Sequence, residues 1–160
     1  MTSDLLNQDV QVYDRIYIGV DPGKTGAAVV LDMRGEFLDC IQFKNATLRD
    51  LYLAMLEWGG AATQVIAVIE DVHAFPRDAR KSAFTFGRAL GQIETILLVA
   101  GAQINWVSPA KWQKSLLREA ARGDKHKLRA AAEDLFPNRR IPLAVADAFL
   151  IAHYCYITRR

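Results

Sequence analysis

The chain has 160 residues, enough for one domain with its own hydrophobic core. Apolar residues make up 51% and charged residues 24%, which excludes a wholly disordered chain, a fibre and a coiled coil. The net charge is only +2, but residues 1–75 carry 5 Lys/Arg against 11 Asp/Glu, whereas residues 76–160 carry 15 against 7. A basic half fits a polyanionic partner, although solvated helix faces are the commoner reason.

Other exclusions follow. No stretch reaches the roughly 20 uncharged apolar residues of a membrane span; the most apolar one, Ile141 to Ile157, is broken by Asp147 and His153. Met1 to Asp14 lacks the basic-then-apolar pattern of a signal peptide. Cys40 and Cys155 form no CxxC pair, so reduced thiols in a cytoplasmic protein fit better than a disulfide framework or zinc. The expected organisation is a polar arm over 1–12 and a single domain over 13–160.

In chain order, Arg15 to Asp21 alternates β-branched and aromatic residues and predicts a strand. Pro22-Gly23 and Gly26 punctuate it before a second strand, Ala27 to Leu31. Met33-Arg34-Gly35 predicts a tight turn into a third, Glu36 to Phe43. Thr47 to Trp58 has helical spacing, with Thr47 and Asp50 placed as a capping box and Gly59-Gly60 as a stop. Gln64 to Glu70 is a near-continuous apolar strand, as at a sheet centre covered on both faces. A polar loop over Asp71 to Arg80 leads to a helix from Ser82 to Ala100, with Phe86, Leu90, Ile93 and Leu97 predicted on its core face. Gln103 to Val107 is a fifth strand. Ser108-Pro109 starts a helix as N-cap and N1, Asp124 to Phe136 forms another, and the last runs from about Pro142 to Thr158. Three antiparallel strands continued by parallel ones through helices make an α/β, ribonuclease H-like mixed five-stranded sheet flanked by helices.

Three carboxylates stand where such a sheet collects its chemistry. Asp21 ends the first strand, Glu70 ends the central parallel strand, and Asp147 lies in the very apolar last helix. Asp21 before Pro-Gly could be a simple turn residue, and Asp147 could pair with a buried arginine. Jointly, oxygen ligands from separate elements suit Mg²⁺ or Mn²⁺.

Six segments carry a family resemblance: Asp21-Pro-Gly-Lys-Thr-Gly, Val68-Ile-Glu-Asp-Val-His, Phe84-Thr-Phe-Gly, Val107-Ser-Pro-Ala-Lys-Trp, Gly123-Asp-Lys and Ala146-Asp-Ala-Phe-Leu-Ile-Ala. In this order they resemble the RuvC-like Holliday-junction resolvases, particularly the short phage-type branch, over nearly everything from Tyr13 onward. The resemblance implies a homodimeric, Mg²⁺-dependent endonuclease (Mn²⁺ substituting) that cuts four-way DNA junctions in a bacterial or phage-infected cell. Asp21, Glu70 and Asp147 would be its metal ligands. The implied reaction is in-line hydrolysis leaving 5′-phosphate and 3′-hydroxyl ends, and Lys125 would be the cation near the scissile phosphate.

The sequence departs from that pattern at one point. The family usually has a further acid, or a His, three or four positions before the last Asp, where this chain has Ala144 and Leu143. Residues at that spacing share a helix face. Asp71 is a poor substitute because strand neighbours point to opposite faces; His73 could reach from its loop, and His153 falls on another face of the last helix. Weak or absent cleavage at physiological Mg²⁺ is therefore expected, either because three carboxylates hold a second metal loosely or because an acid has been replaced.

Candidate phosphate contacts are Lys24, Arg77, Arg80, Lys81, Lys111, Lys114, Lys125 and Lys127, the last two at a helix start that favours anions. Phe84 and Phe86, two apart on a helix, cannot share a face; Phe84 is a candidate wedge between bases or an interface residue. Gly87 and Gly91 have the spacing of a close helix approach, weak support for a dimer seam. Other readings are a binding module without cleavage and a related nuclease acting on structured RNA. The Asp21 segment also resembles the phosphate loop of actin-like and sugar-kinase ATPases, but those need a second such domain.

Overall fold

A computed structural model describes residues 12–72 and 79–160. Five strands form one sheet: β1 (Tyr13–Asp21), β2 (Ala27–Asp32), β3 (Phe37–Gln42), β4 (Ala62–Glu70) and β5 (Ala102–Val107), in the order β3-β2-β1-β4-β5. β1 pairs antiparallel with β2 and β2 with β3, while β4 runs parallel to both β1 and β5. This is the predicted sheet. β1 and β4 each start two residues earlier than their sequence signal, because Tyr13 pairs with Ala62 and Arg15 holds Gln64 through its side chain at 2.7 Å.

Helices cover both faces. Helices α1 (Leu48–Gly60) and α2 (Arg80–Val99) pack on one side; α3 (Pro109–Leu116), α4 (Lys125–Leu135) and α5 (Ala146–Arg159) pack on the other. The strand alternation divides the core accordingly. Ile16, Ile18 and Val20 with Val65, Ala67 and Ile69 face α1 and α2, whereas Tyr17, Ile66 and Val68 face α5. Burial on both sides explains why β4 reads as an unbroken apolar run.

The expected capping box closes α1: Thr47 Oγ1 accepts from the Asp50 N–H at 3.2 Å, and Asp50 accepts from the Thr47 N–H at 2.8 Å. α5 lies antiparallel on β1, and its backbone reaches the strand at Gly19, where a Cβ would fall 2.0 Å from the Ala152 nitrogen. Only glycine admits that approach, and it brings the first turn of α5 to the carboxyl end of β1.

Three predicted features differ. Gly59 and Gly60 do not stop α1, which runs through Gly60 and ends at Ala61. The last helix begins at Ala146, not Pro142, because the Val145 N–H bonds to the Pro142 carbonyl and tightens Leu143–Val145 into a 3-10 turn. Phe86 and Leu90 are only half-buried, and the sealed part of α2 is Ile93, Ile96 and Leu97. The first half of α2 stands away from α1, leaving a groove of about 630 Å³ whose walls include Leu48, Leu51, Phe86 and Ala89.

Candidate active site

Val20 pairs with Ile69, so Asp21 and Glu70 are the next residues of two adjacent parallel strands. Asp21 turns sharply out of β1. Its Oδ1 accepts the Gly23 N–H at 3.0 Å, and a Cβ at Gly26 would strike the Asp21 carbonyl oxygen at 2.1 Å. The Pro-Gly signal is thus a real turn, and it presents the carboxylate at the sheet end. Burial raises the Asp21 pKa; the Gly23 N–H works against this, and the Asp147 charge adds to the rise.

Glu70 is 7% exposed. Its Oε1 accepts the indole N–H of Trp112 at 2.8 Å. Burial pushes its pKa up to about 7; the Trp112 bond opposes the shift, while Asp21 and Asp147 reinforce it. Asp147 sits in the first turn of α5, where the helix dipole favours an anion, and is 6% exposed. Its Oδ2 accepts the Lys125 ammonium. Its Oδ1 is buried and has no hydrogen-bond partner among the described residues, a costly state for a carboxylate oxygen.

Lys125 opens α4 directly after its N-cap, Asp124, whose Oδ1 accepts the His126 and Lys127 N–H groups at 3.0 and 3.2 Å. Burial works against the Lys125 charge, but the bond to Asp147 and the nearby Asp21 and Glu70 outweigh it and raise its pKa. The Lys125 ammonium thus bonds Asp147 and lends its charge to Asp21 and Glu70 as well. As the side chains stand, no three His, Cys, Asp or Glu among the described residues gather closely enough to hold a metal ion. The donor chemistry nevertheless fits a hard divalent cation: all oxygens, from three separate elements, with one buried oxygen lacking a donor among the described residues.

Of the remaining candidates, Lys24, Arg80, Lys81, Lys111 and Lys114 are exposed around this end, and Lys24 and Lys81 border the α1–α2 groove. Lys127 is exposed but engaged, donating to the Ala120 carbonyl at 2.8 Å. Phe84 is 73% exposed. Phe86, expected in the core, belongs to the groove. Arg77 and His73 lie outside the described residues. His153 packs half-buried between the rings of Phe136 and Tyr156. Leu143 and Ala144 are exposed on the 3-10 turn before α5, so they do not share an α-helical face with Asp147 as the sequence implied. Trp112, which meets Glu70, has no role in the sequence reading. The available signal was a tryptophan in a short helix, since a buried indole N–H needs an acceptor.

No family model matches the sequence, and no curated protein does. Solved structures do. The structure of T. thermophilus RuvC in complex with a Holliday junction substrate superposes with a TM-score of 0.69, covering 91% of this chain and 95% of that one at 16% identity. The chain has a RuvC-like fold. A second Thermus thermophilus RuvC structure matches with a TM-score of 0.64 at 19% identity, covering 90% of this chain and 95% of that one. At these identities the RuvC likeness establishes the architecture, and the chemistry rests on the site.

Proposed function

We propose that this chain is a structure-selective endodeoxyribonuclease that resolves four-way DNA junctions, with residues 13–160 forming one nuclease domain that acts as a homodimer. The observation that carries the reading is the carboxylate set at the end of β1 and β4: Asp21, Glu70 and Asp147, with Asp147 Oδ1 buried and without a donor among the described residues. A RuvC-like fold supports it, one of the solved relatives being bound to a junction.

Asp21, Glu70 and Asp147 would hold Mg²⁺, with Mn²⁺ as a substitute. When bound, the cation supplies charge stabilisation and an acidified water for in-line phosphodiester hydrolysis. The protein's own part is to fix three oxygens on rigid element ends and to exclude water behind them with the α5 face of the core. Lys125, freed from Asp147 by a competing cation, would offer its ammonium to the scissile phosphate. Lys24, Arg80, Lys81, Lys111, Lys114 and Lys127 would track the DNA backbone, which makes binding strongly salt-dependent. Arg77 joins this set by its place in the sequence. The exposed Phe84 would wedge at the branch point or seat the dimer.

A second reading is a junction-binding protein with weak or lost cleavage. It is favoured by the absence of an acid at Leu143 or Ala144 and by the loose spacing of the three carboxylates. One assay separates the two: a mobile four-way DNA junction beside linear duplex and structured RNA, with Mg²⁺, Mn²⁺ or EDTA. Symmetric, metal-dependent nicks confined to the DNA junction support the resolvase. Tight binding without cuts supports the binding module, and preference for RNA overturns both.

A further inference from the structure

The Val107-Ser-Pro-Ala-Lys-Trp segment does more than start a helix. Val107 pairs with Glu70 at the end of β5. Ser108 and Pro109, as N-cap and N1, then turn the chain at once into α3. The Trp112 N–H bonds back to the Ser108 carbonyl at 3.3 Å, so the fourth helical residue stands over the strand end that the segment has just left. Its ring is fully buried in the α5-side core with Leu128, Val145 and Ala148, and its N–H meets Glu70 Oε1 at 2.8 Å. A glutamate has three side-chain torsions and would lose considerable rotamer freedom on binding an ion. Here the core-locked indole fixes one of its oxygens beforehand.

We infer that Trp112 is a positioning residue for the metal site: its indole N–H holds Glu70 Oε1 and so presets the carboxylate for a divalent cation. This rests on the metal-site reading above. The alternative is a core-filling tryptophan whose N–H takes the nearest acceptor. The molecule contains its own control for that alternative. Trp58 is likewise buried and donates its indole N–H to a carboxylate, Asp39 Oδ2, at 3.1 Å. That pair joins α1 to the edge strand β3, away from the candidate site.

The test compares Trp112→Phe and Trp58→Phe in the full chain, with melting curves to confirm folding. Free Mn²⁺ measured by electron paramagnetic resonance gives the affinity, and cleavage is read as separate metal KM and kcat. Trp112→Phe should weaken Mn²⁺ binding by roughly 10–100-fold, the range typical of lost partners of metal ligands, with the metal KM moving more than kcat. Trp58→Phe should leave the affinity within about twofold, as expected of a bond outside a metal's surroundings. A second readout needs neither folded variant nor activity: the indole ¹⁵N–¹H signal of Trp112 in the wild-type chain should move during a Mg²⁺ titration while that of Trp58 stays. Should Trp112→Phe fail to fold, Trp112→Leu is measured in its place, weakened Mn²⁺ binding supporting the role and unchanged affinity overturning it; an immobile wild-type Trp112 signal overturns it as well. Unchanged Mn²⁺ affinity in folded Trp112→Phe overturns the positioning role and leaves the metal site standing. A wild-type chain that binds no Mn²⁺ and shows no Mg²⁺ response overturns both.

Discussion

The two faces of the sheet are made from alternate residues of the same strands, yet they end differently. Towards α5, the pattern Tyr17, Gly19, Asp21 on β1 and Ile66, Val68, Glu70 on β4 runs from packed core into carboxylates. Towards α1 and α2, Ile16, Ile18 and Val20 with Val65, Ala67 and Ile69 stay apolar to the end. There the covering helices part instead, leaving a groove and an exposed stretch of α2 where Cβ atoms at Gly87 and Gly91 would touch none of the described residues. The tightly sealed face thus carries the buried charge, and the loosely covered face carries accessible apolar surface. Close packing raises the cost of unneutralised carboxylates and so the gain from a cation; an open helix face leaves room for a partner.

The sharpest way to break this division is to remove its charges. Asp147→Asn and Glu70→Gln should each reduce junction cleavage by at least about a thousandfold, the scale of losing several kcal/mol of metal-derived stabilisation, while junction binding persists. Retained cleavage in either variant would remove the residue from the site. Packing gives the next contrast. Leu150→Ala, in the sealed core, should cost about 2–5 kcal/mol in denaturant unfolding. Phe84→Ala on the open face should change stability by no more than about 0.5 kcal/mol while weakening junction affinity or dimerisation. Equal stability losses at the two positions would mean that α2 is covered in solution.

A smaller effect tests the crowding of the acids through pH. Glu70 binds its proton more tightly in the folded chain, with a pKa raised to about 7 from an ordinary 4.5, and Asp21 shifts in the same direction. Their stabilisation is therefore complete below the unfolded values and is lost as pH rises to about 7 and beyond. The metal-free melting temperature should fall between pH 5 and pH 8, by on the order of 5 °C. Millimolar Mg²⁺ should restore more of it at pH 8 than at pH 5. A flat profile in metal-free protein would show that the carboxylates are not crowded. The smallest change expected is a gain: an acid at the exposed 3-10 turn, Ala144→Asp, should raise Mg²⁺-dependent cleavage several-fold, by about 1 kcal/mol. No gain there or with Leu143→Asp would dispose of the idea that a missing acid limits the site.

Much of this was legible because the signals are local. β-branched alternation marks Arg15 to Asp21, Thr47 and Asp50 stand three apart as a capping box, and Ser108-Pro109 opens a helix; each involves a few neighbouring residues with fixed backbone preferences. The three acids were legible as well, since a carboxylate at a strand end or in an apolar helix is conspicuous in one dimension. The sequence could not show which half of α2 is covered. Phe86 and Leu90 satisfy the helical period as well as Ile93 and Leu97 do, and only the divergence of α1 and α2 separates them. Nor could it place Leu143 and Ala144, because a single bond from Val145 to the Pro142 carbonyl shifts the helix start by several residues.

By itself, then, the sequence determined the strand and helix types, their order, and which carboxylates end them, because those follow from short-range sterics and hydrogen bonding. Only the tertiary structure decided how the acids are served. Glu70 meets Trp112 across 42 residues, Asp147 meets Lys125 across 22, and α5 rests on β1 at one glycine. Such partnerships depend on side-chain reach between elements several ångströms apart. That distance is set by the packing of the whole core, and no short window of sequence contains it.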